Sequence, residues 1–228
     1  MARRSNFGHE KRQKDIKKQA KRDEKAERKR AKREAGGEDL RTRLNALFAE
    51  GWQIWERFSL EPREHDFHPF VPADYEVVLE TLLPYQGSGA KFLEWGSATG
   101  VITIMADLLG LDASGIELDA TLVITARGLA EKSGSDARFA GGSFLPAGYE
   151  WHSPGGDGRL ATIGDGPSGY RELGHHLDEF DIVFAFPWGG EEPMMLDLMR
   201  CYGRADATLY LNTVNDGIRT YRGGRLVS

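Results

Sequence analysis

One cysteine, Cys201, occurs among 228 residues, so an internal disulfide cannot form and cannot be what holds the fold together. No apolar run approaches the roughly 20 residues that cross a bilayer as a helix, which excludes a helical membrane span. No apolar segment follows the first residues, and the basic start holds too many acids for a transit peptide. The expectation is a cytoplasmic protein with no membrane contact. Metal-binding patterns are scarce as well. His65, Asp66 and His68 share one irregular loop but lack a fourth ligand, and no metal is expected there. His175 and His176 are adjacent, read as lying on different sides of a helix, and make no ligand pair.

What is present is charge, divided unevenly. Residues 1–37 hold 15 of the 30 Lys+Arg and 6 of the 35 Asp+Glu, leaving +9 there and −14 on the rest. From His9 to Glu34 the tail carries almost no apolar residue except Ile16 and scattered alanines, so it cannot pack against a core. Pairs such as Glu24 with Arg28 at i,i+4 spacing support a solvated helix, and Gly36-Gly37 ends it. The segment reads as a helical or disordered tail. It serves either as an electrostatic arm for RNA or ribosomes, with sequence-tolerant and salt-sensitive binding, or as a solubilising tail. With 40% hydrophobic residues overall, the remainder can bury one full-sized core.

Leu40, Leu44, Leu47, Phe48, Trp55 and Phe58 recur at helical spacing, which predicts an amphipathic helix over 39–59. His65 to Pro72 follows as an extended segment held by two prolines, placed where it could fold over a ligand. Asp74 then caps a helix that stops at Pro84. Residues 38–90 thus form an N-terminal region of helices and flap.

From Lys91 onward the pattern alternates strand and helix, the signature of a parallel sheet. Residues 91–95 read as the first strand, running through Glu94 into the turn Gly96-Ser97-Ala98-Thr99-Gly100 and a helix from about Thr99 to Leu109. Ligands of such sheets bind at the carboxyl ends of the strands. A carboxylate two residues before the first glycine would repel the pyrophosphate that dinucleotide folds seat there. A ligand with an amine and a sulfonium would be attracted, so the turn favours S-adenosylmethionine over NAD. The second strand, 113–117, ends at Glu117, 21 residues after Gly96, where an acid accepts hydrogen bonds from both ribose hydroxyls. Asp119 reads as the cap of the next helix. The third strand, 137–140, leads to Gly141-Gly142-Ser143-Phe144, where Ser143 and backbone amides can face an adenine edge and Phe144 can form an apolar wall; a plain turn is the alternative. A Gly/Pro-rich stretch near 145–169 predicts a β-hairpin insertion. The fourth strand, 181–186, stops at Pro187, and Trp188 follows, where an aromatic face would suit a sulfonium or simply plug the cleft. Glu191 and Glu192 read as a general base, a grip on a cationic substrate, or acids in the first turn of a helix over 193–202. A fifth strand covers 207–211, and 218–227 predicts a short antiparallel edge hairpin.

In that order and at that spacing, these segments resemble the class I, Rossmann-like S-adenosylmethionine-dependent methyltransferases over about residues 70–215. The resemblance implies a doubly wound, mainly parallel α/β sheet, with residues 91–228 as the catalytic core and S-adenosylmethionine as cofactor. It places Glu94, Gly96, Ser97, Ala98, Thr99 and Gly100 in the first cofactor motif, with Ala98 where the family has its middle glycine. It gives Glu117, with Leu118 beside it, the ribose, and Gly142, Ser143 and Phe144 the adenine. The fourth motif falls on Phe186-Pro187-Trp188. The amine-methylating branch begins this motif with Asn or Asp, and Phe186 departs from that pattern. The implied reaction is methyl transfer to an unidentified acceptor by direct displacement, with Trp188 at the transferred group and Glu191 as a candidate base. The family usually adds a helix and two strands after the fifth strand; here the terminal hairpin or a partner subunit would complete the edge. Two other readings stay open: a non-catalytic cofactor-binding module associated with RNA or ribosomes through the tail, and an NAD-dependent oxidoreductase.

Overall fold

The computed structural model describes residues 39–60, 71–150, 166–188 and 190–227. The chain divides into two units, Met1–Arg43 and Leu44–Ser228, and the sheet belongs to the second. The basic tail of residues 1–37, the loop bearing His65, Asp66 and His68, and residues 151–165, which hold most of the expected hairpin insertion, lie outside the described residues.

Seven strands form one sheet in the order β3-β2-β1-β4-β5-β6-β7. They are β1 Lys91–Trp95, β2 Asp112–Glu117, β3 Arg138–Gly141, β4 Ile182–Ala185, β5 Thr208–Thr213, β6 Gly217–Arg222 and β7 Arg225–Leu226. The first five are mutually parallel, and β6 and β7 run antiparallel at one edge. This is a Rossmann-like α/β sheet, and the chain reverses its direction of travel between β1 and β4, where such sheets open a ligand crevice. As expected, a short antiparallel hairpin follows: β5 turns straight back into β6, with Leu211 opposite Arg219. The terminal hairpin itself completes the edge.

The helices are α1 over residues 39–60, then α2 Tyr75–Leu82, α3 Val101–Leu108, α4 Ala120–Ser133, α5 Tyr170–Leu173 and α6 Glu192–Tyr202. Asp74 and Asp119 cap α2 and α4, each accepting from two backbone N–H groups of the first turn, as their positions predicted. Alternation along the strands sorts the core into two layers. Leu93, Trp95, Val183, Ala185, Leu209 and Leu211 pack with Tyr170 of α5 and with Met194, Met195, Leu198 and Met199 of α6. Phe92, Glu94 and Phe184 point to the opposite face, where Glu94 meets α3. Each fully buried large side chain contributes about 1.5–3 kcal/mol.

Two readings change in detail. α3 starts at Val101 rather than Thr99, because Gly100 at its N-cap is left-handed. His175 and His176 are not on a helix but follow α5; the His175 ring, edge-on to Phe180, bonds the Glu179 carboxylate at 2.9 Å, while His176 is exposed. Among the described residues no helix is long and apolar enough to cross a membrane, and no group of three or more His, Cys, Asp and Glu side chains could hold a metal ion.

Candidate functional site

The turn after β1 is built by three left-handed residues, Gly96 (φ 69°), Ala98 (φ 45°) and Gly100 (φ 79°). Gly96 and Ser97 donate their N–H groups to the Ile116 carbonyl at 2.9 and 3.0 Å, which pins the turn to the end of β2. The two glycines do different jobs. A Cβ on Gly100 would stand 2.6 Å from the Phe139 ring and 2.8 Å from Ala126, so this glycine lets the turn sit directly on α4 and β3. A Cβ on Gly96 would meet nothing within 4 Å. The backbone at Gly96 therefore faces open space at the strand tips, where a ligand could approach closely. Ala98 adopts a conformation that costs an L side chain about 1–2 kcal/mol, and its N–H is held by Glu117 Oε2 at 2.8 Å.

Glu94 does not reach outward as a simple wall of the crevice. It is buried, and its Oε2 accepts from the Thr103 backbone N–H at 2.9 Å and from the Thr103 hydroxyl. Thr103 is the third residue of α3, whose N-cap Gly100 has no side chain to satisfy the free N–H groups of the first turn. Glu94 supplies that cap from the neighbouring strand. Burial pushes its carboxyl up to about 8, against the pull of the two Thr103 hydrogen bonds, and the nearby Glu117 charge adds to the rise. Ser97 lies in the same buried layer, and its hydroxyl has no hydrogen-bond partner among the described residues. A side chain on Gly115 would lie 2.7 Å from the Ser97 Oγ and 2.9 Å from the Thr103 Oγ1, so Gly115 makes room for this polar layer.

Glu117 ends β2 half-buried, with Oε1 accepting from Asp119 N–H at 2.9 Å and Oε2 from Ala98. Desolvation raises its pKa and the backbone hydrogen bonds oppose that rise. Its carboxylate thus bridges the tip of β2 and the turn after β1. Beyond β3, Gly142 donates to the Glu117 carbonyl at 2.9 Å, and Ser143 pairs in parallel with Ser168 of the returning chain. The Ser143 hydroxyl accepts from Leu145 N–H, so it braces its own loop. Phe144 stacks on Trp95 at 5.3 Å, and Trp95 donates its indole N–H to Tyr170 Oη at 2.8 Å. Phe144 is thus anchored to the layer beneath α5 and α6. Leu118 is half-buried against Gly166, where an added Cβ would lie 2.9 Å from Leu118 Cδ1.

At the tip of β4, Phe186 and Pro187 are half-buried and the Trp188 side chain is 45% exposed. Glu191 is buried under this turn, and its Oε2 accepts from Trp188 N–H at 2.8 Å; burial raises its pKa. The Glu191 carboxyl therefore braces the position of Trp188. Glu192 takes a structural place, accepting from both Arg219 and Tyr221 of β6. Sequence reasoning passed over Thr103, Gly115 and the strand-like pairing at Ser168. A hydroxyl at the third helical position behind a glycine N-cap was the signal for Thr103; Gly166-Pro167 marked the return near Ser168.

No family model matches the sequence, and no curated protein matches it. Solved structures of similar architecture include an RNA methyltransferase from Salinibacter ruber in complex with S-adenosyl-L-homocysteine (18% identity, 63% of this chain, 78% of that chain, TM-score 0.44). Another is an O-methyltransferase from Bacillus cereus in complex with the same molecule (17% identity, 75% of this chain, 66% of that chain, TM-score 0.46). A third is a SAM-dependent methyltransferase from Agrobacterium tumefaciens, matched over 64% of this chain and 48% of that one at 17% identity and TM-score 0.44. These likenesses are of architecture alone.

Proposed function

We propose that the protein is an S-adenosylmethionine-dependent methyltransferase. The observation that carries this reading is the use of Glu94 as the cap of α3. In a dinucleotide site the free N–H groups at the start of this helix would receive a pyrophosphate. Here one of them is already taken by a carboxyl from β1, so a phosphate would have to displace that carboxyl to be seated there, whereas a ligand without phosphate would not. Glu117 at the next strand tip suits two ribose hydroxyls, and the open face of Gly96 leaves space for the ligand between them.

The residues present fit the cofactor. Gly96, Ser97, Ala98, Thr99 and Gly100 would line its amino-acid end with Glu94 behind them, Glu117 would hold the ribose, and Leu118, Gly142, Ser143 and Phe144 would surround the adenine. Phe186, Pro187 and Trp188 would stand at the methyl end. When bound, the cofactor would supply an electrophilic methyl carbon on a sulfonium leaving group. The chain's part is then to align the acceptor, exclude water and offer aromatic surface to positive charge, worth about 0.5–2 kcal/mol. A base serves only where the acceptor must lose a proton before attack, and Glu191 is the buried carboxyl nearest in sequence to the Trp188 turn.

Calorimetry with S-adenosylmethionine, S-adenosylhomocysteine and NAD tests the assignment. The first two should bind and NAD should not; binding of NAD alone would overturn it. Glu117→Ala should remove most cofactor affinity, and an unchanged dissociation constant would remove Glu117 from the site.

A further inference from the structure

Tyr75 opens α2 and is only 5% exposed, yet among the described residues its hydroxyl makes no hydrogen bond. A buried hydroxyl without a partner is costly, and a ligand that completes it removes the cost. Its place in the fold narrows the ligand. α2 and α3 are eight residues each, and Gly87 and Gly89, shortly after α2, donate to the Leu109 and Gly110 carbonyls at the foot of α3. The heads of the two helices therefore stand together at the carboxyl ends of the strands. A Cβ on Gly51 of α1 would lie 2.6 Å from Val101 Cγ2 and 3.2 Å from the Tyr75 hydroxyl. That hydroxyl thus sits beside the residue that follows Gly100, at the end of the turn after β1. Phe48 and Trp52 of α1 pack their rings 5.4 and 5.3 Å from the phenol and hold it in place. Burial, with the nearby Glu94 charge adding to it, pushes the phenol pKa up, so Tyr75 keeps its proton and remains a donor.

We infer that Tyr75 is a cofactor-binding residue whose hydroxyl donates to the carboxylate at the amino-acid end of S-adenosylmethionine. Given the methyltransferase reading on which this rests, with the ribose at Glu117 and the adenine beyond β3, the amino-acid end falls along the turn toward Gly100 and Val101. The carboxylate is the one anion that the cofactor carries, and a hydrogen bond to an ionised group is roughly twice as strong as one between neutral groups. Burial holds the Glu94 carboxyl up at about 8, so at neutral pH most of it is protonated and does not repel a carboxylate brought beside it. The site then reaches beyond the sheet to α2.

The test is calorimetry with S-adenosylhomocysteine and with its decarboxylated analogue, which keeps the adenosine, the sulfur and the amine and lacks only the carboxylate. Tyr75→Phe removes one oxygen and leaves the ring contacts with Phe48 and Trp52 in place, so it should unfold thermally at the native temperature or above. It should weaken S-adenosylhomocysteine about tenfold and leave the decarboxylated analogue unchanged. The native chain should bind the analogue at least about tenfold more weakly than S-adenosylhomocysteine. A lower unfolding temperature for Tyr75→Phe would reveal a partner for the hydroxyl within the chain and overturn the inference. So would undiminished binding of S-adenosylhomocysteine by Tyr75→Phe, an equal loss for both ligands, or a native chain that binds both alike. Failure of the native chain to bind S-adenosylhomocysteine would instead bring down the methyltransferase reading, and the inference with it.

Discussion

At the scale of single residues, Glu94 shows how a carboxyl on a strand can serve as the cap of a neighbouring helix. In an unfolded chain it titrates near 4.5, and in the fold near 8. Between those values the folded state binds the extra proton, so stability falls as pH rises from about 5 to 8. Glu94→Gln keeps an acceptor for the Thr103 N–H and has no charge to lose. Thermal unfolding across that window should show a downward slope for the native chain that is visibly shallower in Glu94→Gln; parallel slopes would mean that Glu94 is ionised throughout. The glycines of the turn offer a second contrast. Gly100→Ala meets both a left-handed backbone and the Phe139 ring and should cost about 2–4 kcal/mol in denaturant unfolding. Gly96→Ala should cost about 1 kcal/mol, from the backbone alone, while weakening cofactor binding more than stability. If both variants lost stability equally, the space above Gly96 would not be open. The sequence placed Glu94 two residues before the turn, but spacing carries no information on whether a side chain turns inward to a helix or outward to a ligand. That choice depends on Thr103 and Gly115, which lie on two other elements.

At the scale of elements, the strands and helices were legible because each carries its own period and its own stop signal. β1, β2 and β4 are short buried runs ended by Gly, Glu-Leu-Asp or Pro, and α2 and α4 begin at aspartates whose carboxylates do cap them. The edge was less legible. The edge hairpin over 218–227 was foreseen, but not the contacts that lock it, because they come from a residue on a different element. Glu192 at the start of α6 accepts from Arg219 and Tyr221 of β6, tying helix to edge strand across the sheet's α6 face. Glu192→Ala should lose about 1 kcal/mol in denaturant unfolding, a modest figure because the pair is partly exposed. Unaltered stability would show that apolar packing of β6 alone holds the edge. Such a loss should leave cofactor affinity intact, since Glu191 and not Glu192 braces the Trp188 turn.

At the scale of the whole molecule, the chain joins a −14 body to a +9 segment in residues 1–37. Charge composition can say that such a segment favours polyanions but not which one, because phosphate backbones look alike to lysine and arginine. If the segment serves as an arm, deleting residues 1–37 should weaken RNA binding in a filter or anisotropy assay and flatten its dependence on salt; an unchanged slope would leave it a solubilising tail. The acceptor was unreadable from sequence for a related reason. Residues that meet at the strand tips, such as Glu94 and Glu117, lie far apart along the chain and come together only through strand order. The capped start of α3 also bears on how the protein would behave in its surroundings. ATP and NAD share the adenosine half of the proposed cofactor and differ from it in carrying phosphates. Because the turn's helix has already spent a donor on its own carboxyl, such phosphates would find a poor seat there. If the proposed site holds, phosphate or sulfate buffers should leave S-adenosylmethionine affinity nearly untouched in calorimetry, and strong competition by phosphate would overturn this reading of the turn.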